Sequence, residues 1–124
     1  MRELPAIIKN RVAAIDLVKY AGASGDFNEI HTVPAIAEEK GLADIIAHGM
    51  FVMGWGASAI EEWFPKRQLQ SFGVRFQAVT HPGTVLVITG TMLTENEGEI
   101  WIKDQQDHPK LAGIFILKAG SAQF

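Results

Sequence analysis

The sequence predicts an α+β domain in which a curved antiparallel sheet wraps around one central apolar helix. Three observations predict it. Helical periodicity occupies the first half of the chain and strand periodicity the second. Between them, Gly49 to Phe64 (GMFVMGWGASAIEEWF) is apolar around its whole circumference until Glu61 and Glu62, so it requires enclosure. The 124 residues have room for one domain, spanning 1–124, and 48% hydrophobic residues suffice to fill one core.

Taken in order, Ala14 to Ala21 place Leu17, Val18 and Ala21 on one helical face, with Gly22 expected to end the helix. Pro34 opens a second short helix through Ile36, Ala37 and Lys40, and Gly41 closes it. Pro65 stops the central helix, and Gly54 and Gly56 are expected to let the sheet approach its backbone. Phe72, Val74, Phe76 and Ala78 then alternate with Ser71, Gly73, Arg75 and Gln77 as in a half-buried strand. Val85 to Thr94 is strand-like on both faces, Asn96-Glu97-Gly98 reads as a turn, and Glu99 to Gln105 returns. A turn at His108-Pro109 leads into Leu111 to Leu117. A sheet of four or five such strands leaves an edge strand and the helix's open side exposed, so a homodimer is expected.

Composition excludes several functions. The chain has no cysteine, hence no disulfide, thiolate metal site or cysteine nucleophile. Its amino terminus, MRELPAIIKNRVA, is broken by Pro5 and by charges and lacks the apolar stretch of an export signal, so a cytoplasmic location is expected. The stretch from Ala47 to Ile60 is too short to span a membrane. A formal charge of −3 without a basic run excludes a nucleic-acid partner and leaves a small or acyl-type ligand.

The chemistry concentrates in two places. The loop Tyr20-Ala-Gly-Ala-Ser24-Gly-Asp26-Phe-Asn28-Glu-Ile-His31 packs a carboxylate, an amide and an imidazole into six residues. An aspartate and a histidine converging on one water can take a proton from it and return one to a substrate. Equally, Asp26 and Asn28 suit turn or cap positions, and His31 suits a satisfied polar side chain. The second place is Ala47-His48-Gly49-Met50, where the apolar helix begins. Its unpaired N–H groups stabilise an oxygen that gains negative charge, and Gly49 lets a ligand approach; alternatively His48 caps the helix and Gly49 merely enters it. The histidines at 31, 48, 81 and 108 show no zinc-type spacing, so no metal is expected.

YAGASGDFNEIH followed by IIAHGMFVMG resembles the signature of the MaoC-like, or (R)-specific enoyl-CoA hydratase, family: Y-A-x-x-S-G-D-x-N-P-I-H, then A-H-G-M about sixteen residues on. Phe72-Gly-Val-Arg75-Phe76 and His81-Pro-Gly83-Thr84 extend the likeness over nearly the whole chain. GLADIIAHGMFVMGWG is similar also to the catalytic subunit of the mycobacterial 3-hydroxyacyl-carrier-protein dehydratases. The resemblance implies a hot-dog fold and a hydro-lyase, which hydrates 2-enoyl thioesters or dehydrates 3-hydroxyacyl thioesters of coenzyme A or acyl carrier protein. It implies Asp26 and His31 as the catalytic pair, the Gly49 N–H as receiver of the thioester oxygen, and Ser24, Asn28 and His48 as supporting residues. No cofactor is required, because the thioester activates the double bond. Met50, Phe51, Met53 and Trp55 are candidates to line the acyl slot and Arg75 to meet a phosphate, though each also suits an ordinary packing or pairing role. Two departures stand out: Glu29 occupies the usual proline position, adding a charge that would raise both carboxyl pKa values if it approached Asp26, and Thr32-Val33-Pro34 follows His31. A hot-dog thioesterase and a non-catalytic acyl-thioester-binding subunit are the competing functions.

Overall fold

In the computed structural model, which describes residues 1–120, the chain runs β1 (Arg2–Ile8), α1 (Ala14–Ser24), a 3-10 turn (Glu29–His31), α2 (Pro34–Glu39), α3 (Gly49–Trp63), β2 (Leu69–Phe76), β3 (Leu86–Met92), β4 (Glu97–Asp104) and β5 (Pro109–Leu117). Residues 121–124, which the single-domain expectation includes, lie outside the described residues.

The strands form one antiparallel sheet in the order β1-β3-β4-β5-β2. Alternation dictates which residues meet across it. Ile88, Ile102, Leu111 and Phe76 form one inward row, and Met92, Gly98, Phe115 and Phe72 another. The middle row holds Gly90, Ile100, Gly113 and Val74. Leu86, Ile88, Ile100, Ile102, Leu111 and Phe115 are fully buried there, and the sheet curves over α3.

Helix α3 turns Val52, Gly56, Ala59 and Ile60 into the core at helical spacing, while Met50 and Gly54 face solvent. The helix is therefore enclosed on one side only. A Cβ on Gly56 would come within 3.1 Å of the Phe72 ring, so this glycine permits the close approach expected of it. Gly54 does not, having nothing within 4 Å of such a Cβ. The tightest approaches fall instead within the sheet: at Gly113 a Cβ would meet the Gly73 carbonyl oxygen at 2.6 Å, and at Gly98 the space is filled by Phe115 and Met92.

Several boundaries differ from the sequence expectation; β2 runs Leu69–Phe76 and leaves Ala78 outside the strand, and three other differences have a clear local cause. The amino-terminal segment is an edge strand, where Pro5 falls between the paired residues Leu4 and Ile7 at a break in register and so removes no needed ladder bond. Helix α1 continues past Gly22 to Gly25, which takes the left-handed conformation (φ 77°) and donates to the Ala21 carbonyl. Glu97 and Gly98 belong to β4 and not to the turn, because the Thr94 hydroxyl accepts the N–H groups of Asn96 and Glu97 and tightens the reversal.

Candidate active site

The loop after α1 is built from side chains that bond their own backbone. Ser24 Oγ accepts the Asp26 N–H, Asp26 Oδ1 the Asn28 N–H, and Asn28 Oδ1 the Ile30 N–H, each at 3.2 Å. Ser24 and Asn28 thus bear on the loop's shape, and Asn28 caps the 3-10 turn that carries His31. Glu29 begins that turn with its side chain exposed, at a position that also tolerates proline.

Residues 45–47 bring this loop to α3. Ile46 N–H donates to the Ile30 carbonyl (3.1 Å) and Ala47 N–H to the Thr80 carbonyl (2.7 Å). Two imidazoles complete the clamp: His31 Nδ1 lies 2.7 Å from the Ile46 carbonyl oxygen and His81 Nδ1 2.9 Å from that of Ile45. A carbonyl only accepts, so Nδ1 of His31 carries the proton and Nε2 presents its lone pair in the neutral ring. That lone-pair atom sits 3.8 Å from Asp26 Oδ2. The imidazole is buried, whereas the Asp26 side chain remains about half exposed.

His48 occupies the N-cap of α3 without capping it; its Nε2 donates to the Asp26 carbonyl oxygen at 3.1 Å. Its ring stacks on His31 with centroids 3.7 Å apart. No side chain caps α3, and while the Phe51 N–H donates to the His48 carbonyl, the Gly49 amide that opens the helix is placed to meet an oxygen acceptor at the positive end of the dipole. A cavity of about 340 Å³ opens there, lined by His31, Gly49, Val52, Phe76 and Val79 among others. Its size is that of a small ligand pocket.

The residues expected to line an acyl slot lie outside this cavity. Met50 is exposed, Phe51 packs between Tyr20 and Trp55, Met53 is half-buried against the core, and Arg75 is exposed on β2; none lines this cavity. The pocket is made by Ile46, Ala47, Val52, Phe76, Ala78 and Thr80. The Phe76 ring packs against the start of α3, 3.1 Å from where a Gly49 Cβ would stand. Donor atoms of Asp26, His31 and His48 lie within 4.8 Å of one another, the spacing of a metal site. The two imidazoles are stacked face to face and nearly parallel (20°), however, so their in-plane lone pairs lie in separate planes and do not meet at one centre.

Residues 3–108 match the MaoC like domain family. The chain belongs to the MaoC-like domain family. Within it, this domain is 35% identical over 89 residues to 3-hydroxyacyl-thioester dehydratase X of Mycobacterium tuberculosis, an alignment covering 71% of the chain and 30% of the relative. The chain spans less than a third of the length of the curated relatives it matches. Its fold is that of the (R)-hydratase from A. caviae involved in PHA biosynthesis, with TM-score 0.80, 18% identity, and 94% and 93% of the two chains covered. The ChsH1–ChsH2 complex from M. tuberculosis shares it too, at TM-score 0.80 and 17% identity, with 94% of each chain covered. The expected hot-dog fold is therefore the fold of this MaoC-like domain. No helix among its described residues is long and apolar enough to cross a membrane. His81 and Thr80, which hold the 45–47 segment, carried one signal in the sequence: the His-Pro-Gly stretch of the family likeness.

Proposed function

We propose that this MaoC-like domain catalyses (R)-specific hydration of 2-enoyl thioesters and the reverse dehydration of 3-hydroxyacyl thioesters, with Asp26 and His31 as the acid-base pair. One observation carries the reading: two proton acceptors, Asp26 Oδ2 and His31 Nε2, face each other at 3.8 Å. That is too far for a direct hydrogen bond and suits a water that donates one O–H to each. The orientation of His31 is not free, since Nδ1 is committed to Ile46.

In the proposed reaction the water oxygen bonds C3 of the enoyl thioester while its proton passes to one member of the pair. The electrons of the double bond move toward the thioester carbonyl, whose oxygen lies against the Gly49 N–H. A proton from the pair then bonds C2, so that H and OH are added overall and the pair returns to its starting state. A preorganised donor at the carbonyl oxygen is worth ~10²–10³ in rate. The acyl tail runs into the apolar cavity beside Val52, Phe76 and Val79. The substrate is a coenzyme A or acyl carrier protein thioester, and no cofactor is needed, because the thioester activates the alkene. The R configuration rests on the family resemblance and on the (R)-hydratase of like fold. Two free sheet edges support a homodimer.

The test is to incubate purified protein with crotonyl-CoA, following enoyl absorbance and thiol release in parallel. Absorbance falls without thiol release, and Asp26→Asn and His31→Ala each lower kcat/KM by ~10²–10⁴ while the circular dichroism spectrum is kept. Thiol release would establish the thioesterase instead; binding without turnover would establish a sensor subunit.

A further inference from the structure

Asp26 and His31 come from a loop whose internal hydrogen bonds join residues close in sequence; the bonds of Ile30 and His31 to Ile46 tie its His31 end to the 45–47 segment, and the Asp26 end needs a tie of its own to α3. The geometry points to His48 as the residue that does so: we infer that His48 is a positioning residue which locks both members of the pair, and with them the Gly49 amide, into one unit. This rests on the reading of Asp26 and His31 as the acid-base pair.

His48 acts through both faces of its chemistry. Its Nε2 proton goes to the main-chain carbonyl of Asp26, twenty-two residues away, at 3.1 Å. Its ring face lies on His31 at 3.7 Å and 20°, with Tyr20 against it edge-on at 4.9 Å. A single hydrogen bond from His31 Nδ1 to Ile46 leaves the imidazole free to tilt about that bond. The stack removes this freedom and holds Nε2 toward Asp26. The amide of the next residue, Gly49, opens α3, so the residue that orients the pair is covalently joined to the proposed oxygen receiver.

A second observation separates this from simple helix capping. His48 is 3% exposed and its Nδ1 is buried with no hydrogen-bond partner among the described residues. The side chain makes no hydrogen bond to the first amides of α3, so it does not serve as a helix cap. What the ring gains in exchange is the stack on His31 and the bond to Asp26. Displacing a reacting group by about 1 Å can cost ~10² in rate.

Two variants divide the contacts. His48→Phe keeps the aromatic face and loses the donor; His48→Gln keeps an N–H donor and loses the face. With crotonyl-CoA, each is expected to lower kcat about tenfold or more with KM held within about twofold, and His48→Ala to lower it further. The NMR resonance of the His31 Nδ1 proton should broaden or move in His48→Gln and His48→Ala and persist in His48→Phe. Unchanged kcat in folded His48→Phe and His48→Gln overturns the inference, and so does a raised KM at unchanged kcat, which would make His48 a substrate contact. Loss of folding in all three variants also overturns it, in favour of a purely structural role. If the wild-type protein hydrates nothing, the proposed activity falls and the NMR comparison decides alone: an unmoved His31 resonance in His48→Ala refutes the positioning.

Discussion

Gly49 opens α3 with no side chain between its amide and the cavity, and the Phe76 ring fills the space a Cβ would need, at 3.1–3.4 Å. The neighbour is the far end of an aromatic side chain that is itself half exposed, so it can move. Gly49→Ala is therefore expected to shift the ring by a few tenths of an ångström, to place a methyl beside the proposed oxygen receiver, and to leave the fold intact. Crotonyl-CoA hydration should fall about tenfold or more while Tm changes by no more than a few degrees, and Phe76→Leu in the same chain should return part of the lost activity. An equal loss of Tm and activity, measured by calorimetry beside the assay, would refute this account. The polar residues here were legible in the sequence because they act locally: Ser24, Asp26 and Asn28 each bond an amide two residues on. Phe76 was legible only as a strand residue, since its contact with Gly49 depends on how β2 docks against α3.

Within the sheet, Gly98 lies across from Phe115 and beside Met92, and a Cβ there would overlap the Phe115 ring and stand 2.8 Å from Met92 Sδ. Both neighbours are buried, unlike Phe76 at Gly49. Gly98→Ala should therefore cost about 1–3 kcal/mol in urea denaturation, and Phe115→Leu in the same chain should recover part of it. The β4–β5 reversal shows a different control. Burial opposes ionisation of the Asp104 carboxyl, but N–H groups of His108 and Gln106 and the nearby His108 imidazole outweigh it and hold the carboxyl below its usual range. A depressed carboxyl pKa adds stability that is fully present above the unfolded value, about 3.9, and is lost as pH falls through the folded value. The stability difference between wild type and Asp104→Asn should thus be present at pH 5, where the carboxyl is ionised and the imidazole protonated, and shrink at pH 3; a difference that grows from pH 5 to pH 3 would contradict the assignment. Strand β1 and the end of α1 escaped the sequence reading for physical reasons. An edge strand tolerates Pro5 and charges that would exclude a central one, and Gly22 passes through the helix because Gly25 alone takes the left-handed turn.

At the scale of the whole molecule, the site draws on the α1–α2 loop, residues 45–49 and the segment from Phe76 to His81, so its cavity exists only when sheet and helix are docked. This is why the residues of the proposed pair could be picked out from a local motif and the lining of the cavity could not. The same docking leaves two sheet edges free, and they are not equivalent. Strand β1 is blunted by Pro5, a register shift between Leu4 and Ile7, and the charges of Arg2 and Glu3. Strand β2 is regular from Ser71 to Phe76 and borders the cavity. Homodimerisation is accordingly expected through β2, where a two-fold axis would bring like residues together. Gly73 is exposed at mid-strand, and a Cβ added there would meet nothing within 4 Å, so Gly73→Lys does not strain the protomer. It would set two new cations, with Arg75, beside their symmetry mates. In analytical ultracentrifugation the wild type should sediment at twice the 13.6 kDa chain mass, Gly73→Lys should shift toward monomer, and Glu3→Lys on β1 should not. Dissociation by the β1 substitution and not by the β2 one would assign the interface to the opposite edge.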